Sequence, residues 1–270
     1  MELERRHIRL EGGSNLRDIG GYAAAGGKKV RWGQVYRSGA LWGLSDAGWD
    51  WMERQRIAAV CDLRSDGERE IAPTVWRGGA APRQLDTNYA ADHLFGAHHH
   101  AGNGAGVGEL EISLYLKFAR LLAPSLRELF GALVGGEVPV IVHCTAGQDR
   151  TGLAVSLLLS ALEVDRSTIH ADYLLSTELR IPDNEMDRNA LIALADRNVV
   201  ARFYTDLIRE RGPDVFVPRR LVDGQGSPLV DVALSAIEGE WGSVENYMAT
   251  ELCVGPAELR ELRNRLLEQG

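Results

Sequence analysis

His143-Cys-Thr-Ala-Gly-Gln-Asp-Arg-Thr-Gly152 is the most specific segment of this chain. It sets a cysteine, Cys144, and an arginine, Arg150, six positions apart, with Gly147 between them. Ahead of it, Val138-Pro-Val-Ile-Val142 reads as a buried strand. Behind it, Leu153-Ala-Val-Ser-Leu-Leu-Leu-Ser-Ala-Leu162 reads as a buried helix. A strand, a tight loop and a helix N-terminus make a cradle of N–H groups for an anion, and this cradle has a thiol at its centre.

Val35-Tyr-Arg-Ser38 reads as a further strand, within a Gly- and Arg-rich stretch of turns over 15–44. Ser45 is an N-cap candidate for a helix running to about Arg54, and Ile57–Leu63 reads as a buried parallel strand. Residues 73–108 hold much of the Pro and Gly together with His98-His-His100, and read as one long loop. Helical spacing returns over Leu110–Leu133 and from Asp165 through Leu175, until Pro182 interrupts it. It continues over 183–211, breaks at 212–228, and resumes at about 229–240, 244–252 and 256–268. The expectation is a single α/β domain over 1–270, with a central, mostly parallel sheet flanked by helices and extra helices toward the C-terminus. The Cys144 loop then lies at the C-terminal end of a strand, where such sheets bind ligands.

Across 270 residues, 45% are hydrophobic and 25% charged, an ordinary globular balance. A net charge of −8 and a pI near 5.4 argue against nucleic acid as a partner, while leaving room for a local basic pocket. The N-terminus lacks the apolar core of a signal peptide. No apolar run approaches the ~20 residues of a membrane span. The three cysteines, Cys61, Cys144 and Cys253, do not make a disulfide framework. A reducing cytoplasm is the expected setting, with secretion lacking a signal peptide left open.

The decapeptide carries its own chemistry. A helix N-terminus, ringed N–H groups and Arg150 each favour a thiolate at Cys144. The same groups suit a tetrahedral oxyanion, and Arg150 offers a planar fork to two of its oxygens. The backbone of Thr145, Ala146, Gly147, Gln148, Asp149 and Arg150 is the expected phosphate cradle, with the thiolate in line for attack on phosphorus. The Thr151 hydroxyl is expected to hydrogen-bond the Cys144 sulfur, and His143 to orient the loop. A general acid must protonate the leaving oxygen. Asp149 is the first candidate, although Asp is also favoured as a helix cap; Asp86 and Asp92 in the long loop are the alternatives.

These residues resemble the cysteine-based protein tyrosine phosphatase superfamily, and more narrowly the HCxAGKDRTG loop of the bacterial tyrosine/serine phosphatase family. Asn15-Leu-Arg-Asp-Ile-Gly-Gly21 is similar to that family's NxRDxGG block. Val35–Leu41, Asp62–Ser65, Asp172–Ser176 and Gly242–Tyr247 resemble its other blocks, in order along the chain. The resemblance implies a protein tyrosine phosphatase-like fold and a phosphomonoester hydrolase with a phosphocysteine intermediate, no cofactor and no metal. It implies Cys144 as nucleophile, Arg150 as phosphate clamp and Asp149 as acid. Phosphotyrosine in a protein is the expected substrate, with phosphoserine/threonine or phosphoinositide as further classes and inorganic phosphate as product. Residues 183–211 become a possible helical lid. Gln148 departs from the pattern, where the family carries Lys, and the expected pocket loses one cation.

Arg17, Arg37 and Arg64 read as structural, with Arg37 or Arg64 facing the pocket as the alternative. His98-His-His100 reads as a solvated loop, since adjacent residues cannot all point one way and no carboxylate cluster accompanies them. Cys61 reads as a core thiol, its alternative being a disulfide with Cys144 under oxidation. Trp42, Trp49 and Trp51 read as packing. Two other classes stay in view: an arsenate-reductase or sulfurtransferase-like thiol enzyme, and a catalytically silent phosphate-binding module.

Overall fold

The computed structural model describes residues 2–95 and 107–270. His98-His-His100 falls outside the described residues. A short helix α1 (Glu2–Arg6) leads into strands β1 (Arg17–Asp18), β2 (Ala23–Ala24), β3 (Lys28–Val30) and β4 (Val35–Ser38). Helix α2 (Asp46–Gln55), strand β5 (Ala59–Asp62), helix α3 (Asp66–Ile71), strand β6 (Arg83–Gln84) and helix α4 (Asp92–Phe95) follow. The long helix α5 (Val107–Gly135) delivers the chain to β7 (Val140–His143) and α6 (Asp149–Ala161). Then come α7 (Arg166–Leu179), α8 (Arg188–Leu194), α9 (Val199–Arg211), α10 (Val230–Trp241), α11 (Val244–Glu251), α12 (Pro256–Leu266) and β8 (Leu267–Gln269).

The main sheet runs β1-β4-β7-β5-β6. Strands β4, β7, β5 and β6 are parallel, and β1 closes one edge antiparallel to β4. Ser38, His143 and Asp62 are register neighbours, so three parallel strands stop together and Cys144 begins where they end. Strand β7 is central and buried throughout, which is why its sequence is a continuous apolar run. Val140 and Val142 face the large core beneath α5, α6 and α10, while Ile141 faces a smaller core with Trp49 and Met52 of α2. Trp49 and half-buried Trp51 pack in that smaller core, and the Trp42 indole donates to the Asn184 carbonyl. This is the anticipated α/β architecture with a mostly parallel sheet.

Several boundaries differ from expectation, each for a physical reason. The stretch 73–108 is not one loop: it contains β6, α4 and the start of α5. Residues 183–211 divide at two N-caps, Asp187 and Asn198, whose side chains each accept two backbone N–H bonds and restart the helix. The C-terminal helix stops at Leu266, and the chain straightens into β8, which pairs with β3 in a second antiparallel sheet, β2-β3-β8. That sheet's strands are two or three residues long, too short for alternation to show.

Candidate active site

The carbonyls of the loop after β7 are held by two residues that lie far away in sequence. Asn15 Nδ2 donates to the carbonyls of Ala146 and Gly147, at 3.0 and 2.9 Å. Arg37 Nη2 donates to the same Gly147 carbonyl at 2.9 Å. Arg17 and Arg37 are fully buried side by side, and both bind the carboxylate of Asp172 on α7. Ser176 Oγ, one turn further along α7, accepts from both arginines. With its carbonyls tied back, the loop leaves its N–H groups for an anion. Gly147 has φ +66, and a Cβ there would lie 2.4 Å from the Ser38 carbonyl oxygen, so only glycine fits.

Arg150 sits in the first turn of α6 with its guanidinium forked onto Glu68 of α3. Nη1 and Nη2 each lie 2.6 Å from one carboxylate oxygen. Nη1 also donates to Tyr89 Oη and to the Leu63 carbonyl. Glu68 further accepts from the Thr145 hydroxyl and from the backbone and hydroxyl of Ser65. Burial opposes its charge, but Arg150 and these donors hold its carboxyl down to about 2. Among the described residues Arg150 Nε makes no hydrogen bond. Sequence reasoning missed Glu68. The Ser65-x-x-Glu68 spacing is a capping-box signal, and the box is formed, but that signal announces a helix start and not a partner for Arg150.

Cys144, Asp149 and Arg150 line one cavity of about 240 Å³. Asp149 is the first residue of α6, not its cap; Gln148 occupies the cap position without a side-chain bond. Asp149 Oδ1 instead accepts from the Tyr115 hydroxyl of α5 at 2.5 Å, and Tyr115 is in turn hydrogen-bonded to the Tyr173 hydroxyl of α7. Asp86 is held by Arg69 at 2.6 Å and is not part of the cavity wall. Asp92 is exposed at the start of α4, also off the wall. Of the three acid candidates, only Asp149 shares the cavity with Cys144.

Three other expectations are corrected or sharpened. The Thr151 hydroxyl does not reach the Cys144 sulfur: helix α6 begins at Asp149, so Thr151 already follows the helix surface, and its Oγ1 is buried without a partner. Gln148 does not leave the pocket poor in cations. Its Oε1 accepts from Arg180 Nη1 at 2.6 Å, and Arg180, Arg188 and Arg219 all line the cavity. Arg64 faces neither Cys144 nor its cavity; it is clamped by Asp62 and by the Ala72 carbonyl.

His143 is fully buried, with Nδ1 3.3 Å from the Cys144 carbonyl oxygen and 3.8 Å from Asp62, and burial lowers its pKa. Cys61 is a free core thiol whose pKa burial pushes far up, and its Sγ lies 3.8 Å from the Ser125 carbonyl. Among the described residues no group of His, Cys, Asp or Glu comes together that could hold a metal ion. No helix among them is long and apolar enough to cross a membrane.

A family model described as the tyrosine phosphatase family matches residues 8–268. A protein of Cupriavidus necator, provisionally named a tyrosine-protein phosphatase, is 32% identical over 251 residues, which cover 92% of this chain and 84% of that protein. The triple specificity protein phosphatase PtpB of Mycobacterium tuberculosis is 30% identical, over 96% of this chain and 98% of PtpB. Among solved structures, TpbA of P. aeruginosa is 18% identical and aligns with 68% of this chain and 95% of its own, at a TM-score of 0.31. The family model and the two relatives do not favour an arsenate-reductase or sulfurtransferase reading. Matched over nearly all of its length, the chain belongs to the tyrosine phosphatase family, and its chemistry is that of a phosphatase.

Proposed function

We propose that Cys144 is the nucleophile of a two-step phosphomonoester hydrolysis, with Arg150 as phosphate clamp and Asp149 as general acid and base. The observation that carries this is the meeting of the three in one cavity, above a loop whose Ala146 and Gly147 carbonyls are tied back. The Cys144 thiolate attacks phosphorus. A sulfur–phosphorus bond forms as the ester oxygen leaves, taking a proton from Asp149. The N–H groups of residues 145–150 and the Nε–Nη2 edge of Arg150 carry the charge of the three remaining oxygens. Water then gives a proton to the Asp149 carboxylate and attacks the phosphocysteine, releasing inorganic phosphate and the thiolate. Every proton and electron pair is accounted for within this set, with no cofactor.

Phosphotyrosine in a protein is the favoured substrate. Leu114, Tyr115, Phe118 and Tyr204 give the cavity an apolar wall suited to an aromatic ring, and Arg180, Arg188 and Arg219 give it positive charge. The name of the relative PtpB, triple specificity, supports a range that extends to phosphoserine/threonine or phosphoinositides. Residues 183–211 serve as a lid within one domain spanning 1–270, a reading supported by Glu185, Arg188 and Tyr204 in the cavity wall. Cytoplasmic residence fits the three free cysteines.

Turnover of an aryl phosphate without added metal, in wild type and Cys144→Ser, tests the mechanism. The expected outcome is activity in wild type and none in the variant. Full activity in Cys144→Ser, or loss of wild-type activity on adding a chelator, would overturn it. A panel of phosphopeptides and phosphoinositides ranks the substrate classes.

A further inference from the structure

We infer that Tyr115, backed by Tyr173, is a positioning residue that assigns the two oxygens of Asp149 to different tasks. The inference rests on Asp149 acting as the general acid. Tyr115 is buried on α5, and its hydroxyl lies 2.5 Å from Asp149 Oδ1. A phenol carries one proton. When Tyr115 gives that proton to Asp149, the bond between the two phenols must run from Tyr173 to Tyr115. The chain Tyr173→Tyr115→Asp149 thus has a direction, and it ends on Oδ1. Asp149 Oδ2 has no hydrogen-bond partner among the described residues and is the oxygen left for the reaction.

Two consequences follow from this direction. With Oδ1 filled by a donor, the acidic proton of Asp149 resides on Oδ2, where a leaving oxygen can take it. As that proton departs, negative charge grows on the carboxylate, and the Tyr115 hydroxyl is already aimed at it, with no reorganisation required. In the second step the same arrangement holds, and Oδ2 accepts a proton from water. Tyr115 stays protonated throughout, because burial and the neighbouring Asp149 both push its ionisation well above the usual phenol value. Tyr173 is anchored independently: its ring packs where a Cβ on Gly152 would lie, 2.8 Å from two ring carbons. The catalytic helix α6 and the backing phenol are therefore in fixed contact, which keeps Tyr115 in place as the lid segment moves.

The test compares kcat and KM on a good leaving group, p-nitrophenyl phosphate, and a poor one, phenyl phosphate, in wild type, Tyr115→Phe, Tyr173→Phe and Asp149→Asn. Tyr115→Phe is expected to lose about tenfold on phenyl phosphate and about twofold on p-nitrophenyl phosphate, since only the poor leaving group needs the proton. Its KM should stay within about twofold of wild type, so that the loss falls on kcat. Tyr173→Phe should move the same quantities in the same direction by less, and it decides the matter if Tyr115→Phe does not fold. Equal losses on both esters, or a change in KM alone, would overturn the inference and leave Tyr115 as packing. If Asp149→Asn itself treats both esters alike, the acid assignment falls. If Asp149→Asn is selective and Tyr115→Phe is not, only the role of Tyr115 falls.

Discussion

Glu68 takes both outer nitrogens of Arg150, one on each carboxylate oxygen at 2.6 Å, and so holds the guanidinium at the wall of the Cys144 cavity. The orientation of Arg150 is thus set by a residue on another helix. Replacing Glu68 with Gln removes the charge and half of the fork. We expect kcat/KM on an aryl phosphate to fall about 10²-fold, the scale of a misdirected catalytic group. The stability effect has a sign and a window. Glu68 is held down to about 2 in the folded chain, against an ordinary value near 4.3 unfolded. Its charge therefore contributes about 3 kcal/mol above pH ~4.3, and that contribution fades as pH falls toward 2. Thermal unfolding of wild type and Glu68→Gln should differ at pH 7 and converge near pH 2. A constant gap across that range would refute the linkage.

Gly147 cannot be replaced. Its φ of +66 strains any side chain, and a Cβ meets the Ser38 carbonyl oxygen at 2.4 Å. Gly147→Ala is expected to cost about 1–3 kcal/mol from backbone strain alone. The displaced loop should lower kcat by about 10²-fold or more. Unfolding temperature and aryl phosphatase rate, measured on the same preparation, check both; normal activity at normal stability would show that the loop accommodates the methyl.

Gln148→Lys restores the family's residue and yet should reduce activity in this chain. Arg180 Nη1 donates to Gln148 Oε1 at 2.6 Å, so an ammonium there meets a guanidinium. Arg180 is itself fixed by Glu185, at 2.7 Å, and cannot withdraw freely. The double variant Gln148→Lys/Arg180→Gln should recover part of the loss, with a coupling of about 1–2 kcal/mol in a double-mutant cycle on kcat/KM. A gain in activity from Gln148→Lys alone would show that the two cations do not oppose each other.

What the sequence made legible was what is local. The cradle is ten consecutive residues, and β7 betrays itself as an apolar run because both its neighbours and both its faces are protein. The flanking blocks were recognisable only as an ordered set. Their work is done across 131–155 positions of chain, between Asn15 and Ala146 or Arg17 and Asp172, and no local pattern records it. Arg17 and Arg37 read as structural, which they are, but their shared carboxylate and their hold on the loop needed the fold. Glu68, Tyr115 and Arg180 stayed hidden for the same reason: each acts through a partner at least 32 positions away. The second sheet was missed because its pairs join residues 28–30 to 267–269 in strands too short to show a period.

The buried pair Arg17 and Arg37 also bears on how the enzyme is born. Ribosomes emit a chain from its N-terminus, so both guanidiniums and the whole Cys144 loop emerge before Asp172 and Ser176 do. Until α7 follows, two like charges have no carboxylate to share, and the arginine that reaches the Gly147 carbonyl lacks its counter-ion. The Cys144 loop is therefore made before the groups that finish it, and the part of the cavity wall from Arg180 to Leu221 follows later still. Nascent chains halted before Leu221 should therefore remain inert toward phosphate esters, while the full chain is active.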